Sequence, residues 1–348
     1  MRKIVFCGGG TAGHVMPNLA LIESLKNQYE IFYIGSENGI EKNLLKQYPF
    51  VKYYSIEVTK LRRKLCLDNF LIPFKLIKGI NQAKKLLEEI SPCVVFSKGG
   101  FVSVPTCLAA NSLKIPVICH ESDLSLGLAN KIISRKALYT CCSFSSTAQT
   151  VKNGIYTGTP IRKQLFKGNK QQCYEKFGFN KKLPTLLVVG GSLGAKAINN
   201  IIFECASALT KKFNIIHIVG KGNSCALSFK NYVQMEFCDN MGEIYACCDI
   251  VLSRAGSNAI NEMLALNKPM LLIPLPKTES RGDQLENADY FKRRGYCEVI
   301  LQENLTTDLL VNELVKLYQN KDLYIERMKN ASSKNATEII IDLIKKQK

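Results

Sequence analysis

The chain has 348 residues, enough for two domains at roughly 150 residues each. Hydrophobic residues make up 46% and charged residues 22%, a balance that excludes a disordered chain. A formal net charge of +18 calls for an anionic partner, whether nucleic acid, an anionic membrane surface or an anionic substrate.

Met1-Arg2-Lys3 runs straight into Ile4-Val5-Phe6-Cys7 and then glycines, which is not the pattern of a secretory leader. No apolar run approaches the roughly 18 residues that a membrane span needs. A soluble, cytoplasmic protein is expected. There are 14 cysteines and 3 histidines (His14, His120, His217), with no C-x-x-C pair, so no metal site is expected. Cys93, Cys107, Cys119 and Cys205 lie in apolar stretches and read as small buried hydrophobes in a reducing compartment.

In the first half, strands are predicted at Ile4–Cys7, Glu30–Ile34, Cys93–Ser97, Val117–His120 and Ala137–Thr140. Helical patterns lie at Pro17–Lys26, Phe70–Ile90 and Val102–Leu113. Strand–helix alternation implies a parallel sheet covered on both faces. Gly158-Thr159-Pro160 is a turn signal, and a lysine-rich segment follows. The design then restarts with strands at Thr185–Val189, Asn214–Val219, Ile250–Ser253 and Pro269–Ile273. Two Rossmann-like α/β domains facing across a cleft are expected, over residues 1–160 and 161–348. A basic last helix at about 331–348 is free to pack on either domain.

Three glycine loops follow strands and open helices, the geometry that offers backbone N–H groups to phosphate. Gly8, Gly10 and Gly13 of the first match G-x-G-x-x-G, and Glu37 lies at the far end of the second strand. That pattern fits a dinucleotide site as well as a tight turn. His14 at the loop's mouth is placed to act as a general base. Gly190–Ala195, containing Ser192, is the second loop. The third is Ser253–Asn258, running on to Glu262, whose carboxylate is placed to take both hydroxyls of a ribose. Asp283–Asn287 opens a further helix behind a proline-flanked loop, and His120–Asp123 leaves a buried strand at the cleft.

Lys60, Arg62 and Arg63, followed by Phe70, Phe74, Lys75 and Lys78, interleave bases with aromatic and aliphatic residues. This composition suits an anionic membrane surface, and equally an amphipathic helix with its apolar side in the core. No nucleic-acid motif accompanies the charge, so no nucleic-acid partner is expected.

Taken in order, GGGTAGHVMPNLAL, KLRRKLCLDNFLIPFKLIKG, SKGGFVSVP, HESDLSLGLANK, GTPIR, GGSLGAKAIN, RAGSNAINE and DQLENA cover nearly the whole chain. This set resembles the MurG family, bacterial UDP-N-acetylglucosamine transferases of the GT-B fold and glycosyltransferase family 28 that make lipid II. The resemblance implies an inverting transfer of GlcNAc from UDP-GlcNAc to the 4-hydroxyl of the undecaprenyl-linked muramyl acceptor, lipid I. It implies no cofactor and no metal, and a peripheral enzyme on the cytoplasmic face of the cell membrane.

By the same resemblance His14 is the candidate base. Thr11, Ala12, Gly13, Asp123, Arg162, Ser192 and Cys238 belong to the UDP-GlcNAc site. So do Ser257, Asn258, Ala259, Ile260, Asn261 and Glu262, with Gln284 and Asn287 on the donor sugar. The acceptor's diphosphate would lie along Gly8–Gly13, Gly10 included. Leu126 stands where the family has proline, and Asp283 where a second glutamine is common. Two rivals follow from the residues alone. One is an NAD(P)-dependent oxidoreductase using Gly8–Gly13 and Glu37, and the other a non-catalytic membrane-associated binding module.

Overall fold

The computed structural model describes residues 1–59, 72–191, 194–331 and 335–347. The chain divides into two compact units, Met1–Arg162 with Lys334–Lys348, and Lys163–Ser333.

In the first unit the strands are β1 (Arg2–Cys7), β2 (Tyr29–Ser36), β3 (Lys52–Ile56), β4 (Val94–Ser97), β5 (Val117–Glu121), β6 (Tyr139–Cys142) and β7 (Gly154–Tyr156). All pair in parallel, in the order β3-β2-β1-β4-β5-β6-β7. The helices are α1 (Met16–Leu25), α2 (Ile40–Leu45), α3 (Ile72–Ile90), α4 (Ser103–Ser112), α5 (Leu128–Ile133) and α6 (Ser145–Gln149). Alternate residues of β1 feed two separate cores, because successive side chains of a strand point to opposite faces. Ile4 and Phe6 pack with Leu19, Ile22 and Tyr33 on one face, and Val5 and Cys7 with Ala83, Leu87 and Cys107 on the other.

The second unit repeats this plan with β8 (Thr185–Val189), β9 (Asn214–Ile218), β10 (Tyr232–Met235), β11 (Ile250–Ser253), β12 (Met270–Leu272) and β13 (Cys297–Val299), ordered β10-β9-β8-β11-β12-β13. Its helices are α7 (Lys170–Phe177), α8 (Lys196–Thr210), α9 (Met241–Cys247), α10 (Ser257–Ala265), α11 (Asp283–Arg293), α12 (Thr307–Gln319) and α13 (Lys321–Ala331). One polar group is built into the core here. His217 is buried between Tyr232 Oη, 2.8 Å from Nδ1, and Asn199 Oδ1, 3.1 Å from Nε2. The amide oxygen only accepts, so Nε2 carries the proton and Nδ1 accepts from the tyrosine. Burial pushes the imidazole down to about 4.

Strand order reverses between β1 and β4 in one sheet and between β8 and β11 in the other. In open parallel sheets that reversal leaves a crevice beyond the carboxyl ends of the two strands, where ligands bind. The structure thus has two Rossmann-like parallel sheets of the GT-B class, each with one such crevice.

The last helix, α14 (Ala336–Lys345), belongs to the first unit's core: Ile340 and Ile344 are fully buried among the side chains of α1 and β1. Full burial of one such side chain is worth about 1.5–3 kcal/mol. Arg2 Nη1 donates to Lys345 O at 3.0 Å and to Gln347 O at 3.2 Å, satisfying carbonyls at the helix end.

Candidate functional site

In the first unit the crevice is built from three loops. Beyond β1, Gly8–Thr11 leads into a single helical turn over Ala12–His14 and then α1. Gly10 adopts φ +83°, which only glycine takes cheaply. Tyr33 Oη donates to Gly8 O at 2.6 Å, and Asn18 Nδ2 to Cys7 O at 3.2 Å, which fixes the loop's root. Thr11 Oγ1 and His14 Nδ1 lie 3.0 Å apart. If Nδ1 carries the proton and donates to the hydroxyl, Nε2 is left basic, as a general base requires. The imidazole rests against Gly100, where a side-chain Cβ would stand 3.1 Å from Nδ1.

Glu41, in the first turn of α2, is a site residue that sequence reasoning missed. Its carboxylate is fully buried. Oε2 accepts from Gly10 N at 3.2 Å, and Oε1 accepts from Ser36 N at 3.0 Å and from Ser36 Oγ. A first-turn carboxylate directly after a strand end was the available signal. Glu41 thus takes one of the N–H donors that Gly8–Gly13 was expected to offer to the acceptor's diphosphate. Glu37, the acid that a dinucleotide site would use, is largely exposed and paired with Lys42 at 2.6 Å.

Beyond β4 and β5 lies a buried polar cluster. Lys98 is 2% exposed, and its ammonium donates to Ser122 Oγ. Burial pulls its affinity for the proton down, while the charges of Glu121 and Asp123 oppose that. Glu121 accepts from Asp123 N at 3.0 Å, Gly127 N at 2.9 Å and Asn130 Nδ2 at 3.0 Å, so the loop carrying Leu126 is wrapped around a carboxylate. His120 is fully buried with Nε2 2.9 Å from Gly158 O, which makes Nε2 the protonated nitrogen. Burial first, and Lys98 second, hold its imidazole well below the ordinary histidine range. Arg162 closes this unit, and its charge acts on Tyr48, whose phenol burial pushes up to about 12.

In the second unit α8 and α10 start at Ala195 and Gly256, neither of which has a capping side chain. In the same unit Asn169 caps α7 and Thr306 caps α12, each accepting from first-turn N–H groups. First-turn N–H groups without a side-chain cap form a ready anion site. Gly194 has φ +76° and lies against Val219 O, so the loop before α8 admits no side chain there. Ser192 lies outside the described residues.

The loop at β11's end is held from behind. Gln284 Oε1 accepts from Ala255 N at 3.3 Å and Leu275 N at 3.0 Å. Arg254 is buried and donates to Ile273 O at 3.0 Å. Asn261 Nδ2 donates to Ser257 O at 2.8 Å.

Two expectations change here. Asn287 is fully buried and donates to Ala255 O at 3.3 Å, so it supports the loop rather than facing a ligand. Ile260 is fully buried and its N–H serves Gly256 O, so it is a core residue of α10. Asn258, Ala259 and Glu262 are half-buried on the same helix, and Cys238 is half-buried between β10 and α9, its thiol pushed up by burial.

Of the basic–aromatic stretch, Lys60, Arg62, Arg63 and Phe70 lie outside the described residues. Phe74 and Ile77, at the start of α3, are 73% and 57% exposed, with Lys75 and Lys78 exposed beside them. Among the described residues, no helix is long and apolar enough to cross a membrane.

The model of the glycosyltransferase family 28 N-terminal domain matches residues 4–141, and that of the C-terminal domain matches residues 185–343. The chain belongs to this family. A UDP-N-acetylglucosamine–N-acetylmuramyl-(pentapeptide) pyrophosphoryl-undecaprenol N-acetylglucosamine transferase of Clostridium tetani is 47% identical, over 99% of this chain and 98% of that protein. Its counterpart in Clostridium kluyveri is 48% identical over the full length of both. The crystal structure of Acinetobacter baumannii MurG covers 99% of this chain and all of that one, at 26% identity and a TM-score of 0.75. A UDP-GlcNAc 2-epimerase from Neisseria meningitidis shares the fold alone, at 16% identity and a TM-score of 0.65. The family resemblance read from the motifs thus holds over the whole chain. The oxidoreductase alternative finds no support among these matches.

Proposed function

We propose that this glycosyltransferase moves GlcNAc from UDP-GlcNAc to the 4-hydroxyl of lipid I, giving lipid II and UDP with inversion at the anomeric carbon. The observation that carries this is the end-to-end identity of 47–48% with transferases named for that reaction.

The donor's diphosphate is assigned to the starts of α8 and α10, with Ser192, Ser257, Asn258 and Ala259 around it. Negative charge grows on the departing UDP, and fixed N–H donors and helix dipoles stabilise it without reorganising. Glu262 takes the ribose hydroxyls, the backbone at Cys238 meets the uracil, and the carboxamide N–H groups of Gln284 reach the sugar. Thr11, Ala12, Gly13, Asp123 and Arg162 complete the donor contacts.

The acceptor lies on the first unit. His14 Nε2 takes the proton of the attacking hydroxyl while Nδ1–H donates to Thr11. Phe74, Ile77, Lys75 and Lys78 set the start of α3 on the anionic cytoplasmic face of the cell membrane, each near-surface lysine contributing about 1 kcal/mol.

The test is UDP release from UDP-GlcNAc in the presence of lipid I. Release that depends on the acceptor supports the reading, and its absence in a folded protein rejects it.

A further inference from the structure

A cavity of about 600 Å³ opens at the opposite edge of the second unit's sheet, beside the amino ends of β8 and β11. It is lined by Lys170, Lys181, Lys182 and Lys321, against the single carboxylate of Asp249. That carboxylate is fully engaged, Oδ1 with Lys170 Nζ at 2.8 Å and Oδ2 with Thr185 N at 2.8 Å. Three of the four ammonium groups therefore have no carboxylate partner among the described residues. Lys321 instead rests over the ring of Tyr318, 4.8 Å from its centroid. Such a contact is worth only about 0.5–1 kcal/mol at an exposed site, so the ammonium is released from it at little cost.

A cavity of this size falls within the range of small-molecule sites. Four of its ten lining residues are lysines, which only donate, so the lining is rich in donors. Tyr174, on the wall, is held by Thr185 Oγ1 at 2.8 Å, which keeps the surface beneath the lysines rigid. β8 has five residues between this cavity and the glycine loop, which at about 3.3 Å each separates the cavity from the donor crevice by more than the length of a diphosphate.

We infer that this cavity is a second anion site, distinct from the donor crevice, taking a small multivalent phosphate anion through Lys181, Lys182 and Lys321. The anion would neutralise a cluster of like charges that the fold places together without compensation, and would bind as an effector rather than as a substrate.

The experiment is calorimetric titration of the full chain with inorganic pyrophosphate in the presence of saturating UDP, which fills the donor crevice. One further equivalent is expected to bind. Its affinity is expected to fall at least tenfold in the triple variant Lys181→Gln/Lys182→Gln/Lys321→Gln, with UDP affinity unchanged as the control for folding. No further equivalent, or equal affinity in the variant, overturns the assignment. So does a result in which only phosphatidylglycerol vesicles bind in a lysine-dependent way, since the ligand is then a membrane surface. If UDP itself does not bind, the donor reading fails, while the lysine dependence of pyrophosphate still decides this one.

Discussion

The glycine loops of the two units share a sequence pattern and differ in what fills the space above them. In the first unit a side chain at Gly9 would strike the Glu41 carboxylate at 2.5 Å, and one at Gly10 would strike Phe101 at 2.6 Å. In the second unit a side chain at Gly191 or Gly256 would meet nothing within 4 Å. The first set of glycines is required by the protein's own packing, whereas the second is mixed: Gly190 and Gly194 are packed against Ala195 and Val219, and Gly191 and Gly256 face open space. Similar motifs thus differ in how much of the space above them the protein itself fills.

The largest expected effect lies at the rim of the closed loop. His14→Ala should lower transfer by about 10²–10⁴-fold, the usual contribution of a general base. UDP affinity should not move, because the base is assigned to the acceptor's hydroxyl and not to the nucleotide. A transfer rate within threefold of wild type would remove His14 from the chemistry.

Acid should act through the buried histidines, one in each unit. His217 titrates at about 4 in the folded chain against 6.5 when exposed, so the unfolded state binds the extra proton first. Stability is therefore full above pH 6.5 and is lost as pH falls towards 4, by on the order of 3 kcal/mol. Urea unfolding of wild type and His217→Gln at pH 7 and pH 4.5 checks this, since the variant's acid loss should be smaller.

Removing the filler of the closed loop comes next. Glu41→Leu takes the acceptor from the N–H groups of exposed Gly10 and half-buried Ser36, which water can partly serve, at about 1 kcal/mol. Denaturant unfolding reads the loss, and an unchanged midpoint would show that the loop does not depend on its carboxylate. The smallest effect on stability belongs to the open loop. Gly256 has φ −69°, which any residue adopts, so Gly256→Ala should change stability by less than about 0.5 kcal/mol. UDP affinity should nevertheless fall by tenfold or more if a diphosphate approaches this backbone. Equal affinity would move the diphosphate elsewhere.

The sequence showed the inner strands and hid the outer ones. The predicted strands Thr185–Val189 and Ile250–Ser253 match β8 and β11 residue for residue, and both are central. The unpredicted strands β3, β7, β10 and β13 are the four edges of the two sheets. A central parallel strand is buried on both faces and reads as a continuous apolar run. An edge strand such as Lys52-Tyr53-Tyr54-Ser55-Ile56 mixes polar and aromatic residues, because one side meets solvent and its ladder needs only one partner.

The crevices were legible where a loop leaves a strand and opens a helix, as at Gly8–His14 and Ser253–Ser257. They were illegible where a side chain acts on another loop's backbone. Glu41 holds Gly10 from 31 positions away and Gln284 holds Ala255 from 29, and a local pattern places each carboxyl or amide on its helix without naming the backbone it will meet.

The return of α14 to the first unit has a consequence for synthesis. Residues 163–333 leave the ribosome as an uninterrupted unit, whereas the first unit's apolar core stays open until Ile340 and Ile344 have emerged. The part of the chain made first is therefore the part finished last, and the nascent first unit must keep an uncovered hydrophobic face throughout translation of the second.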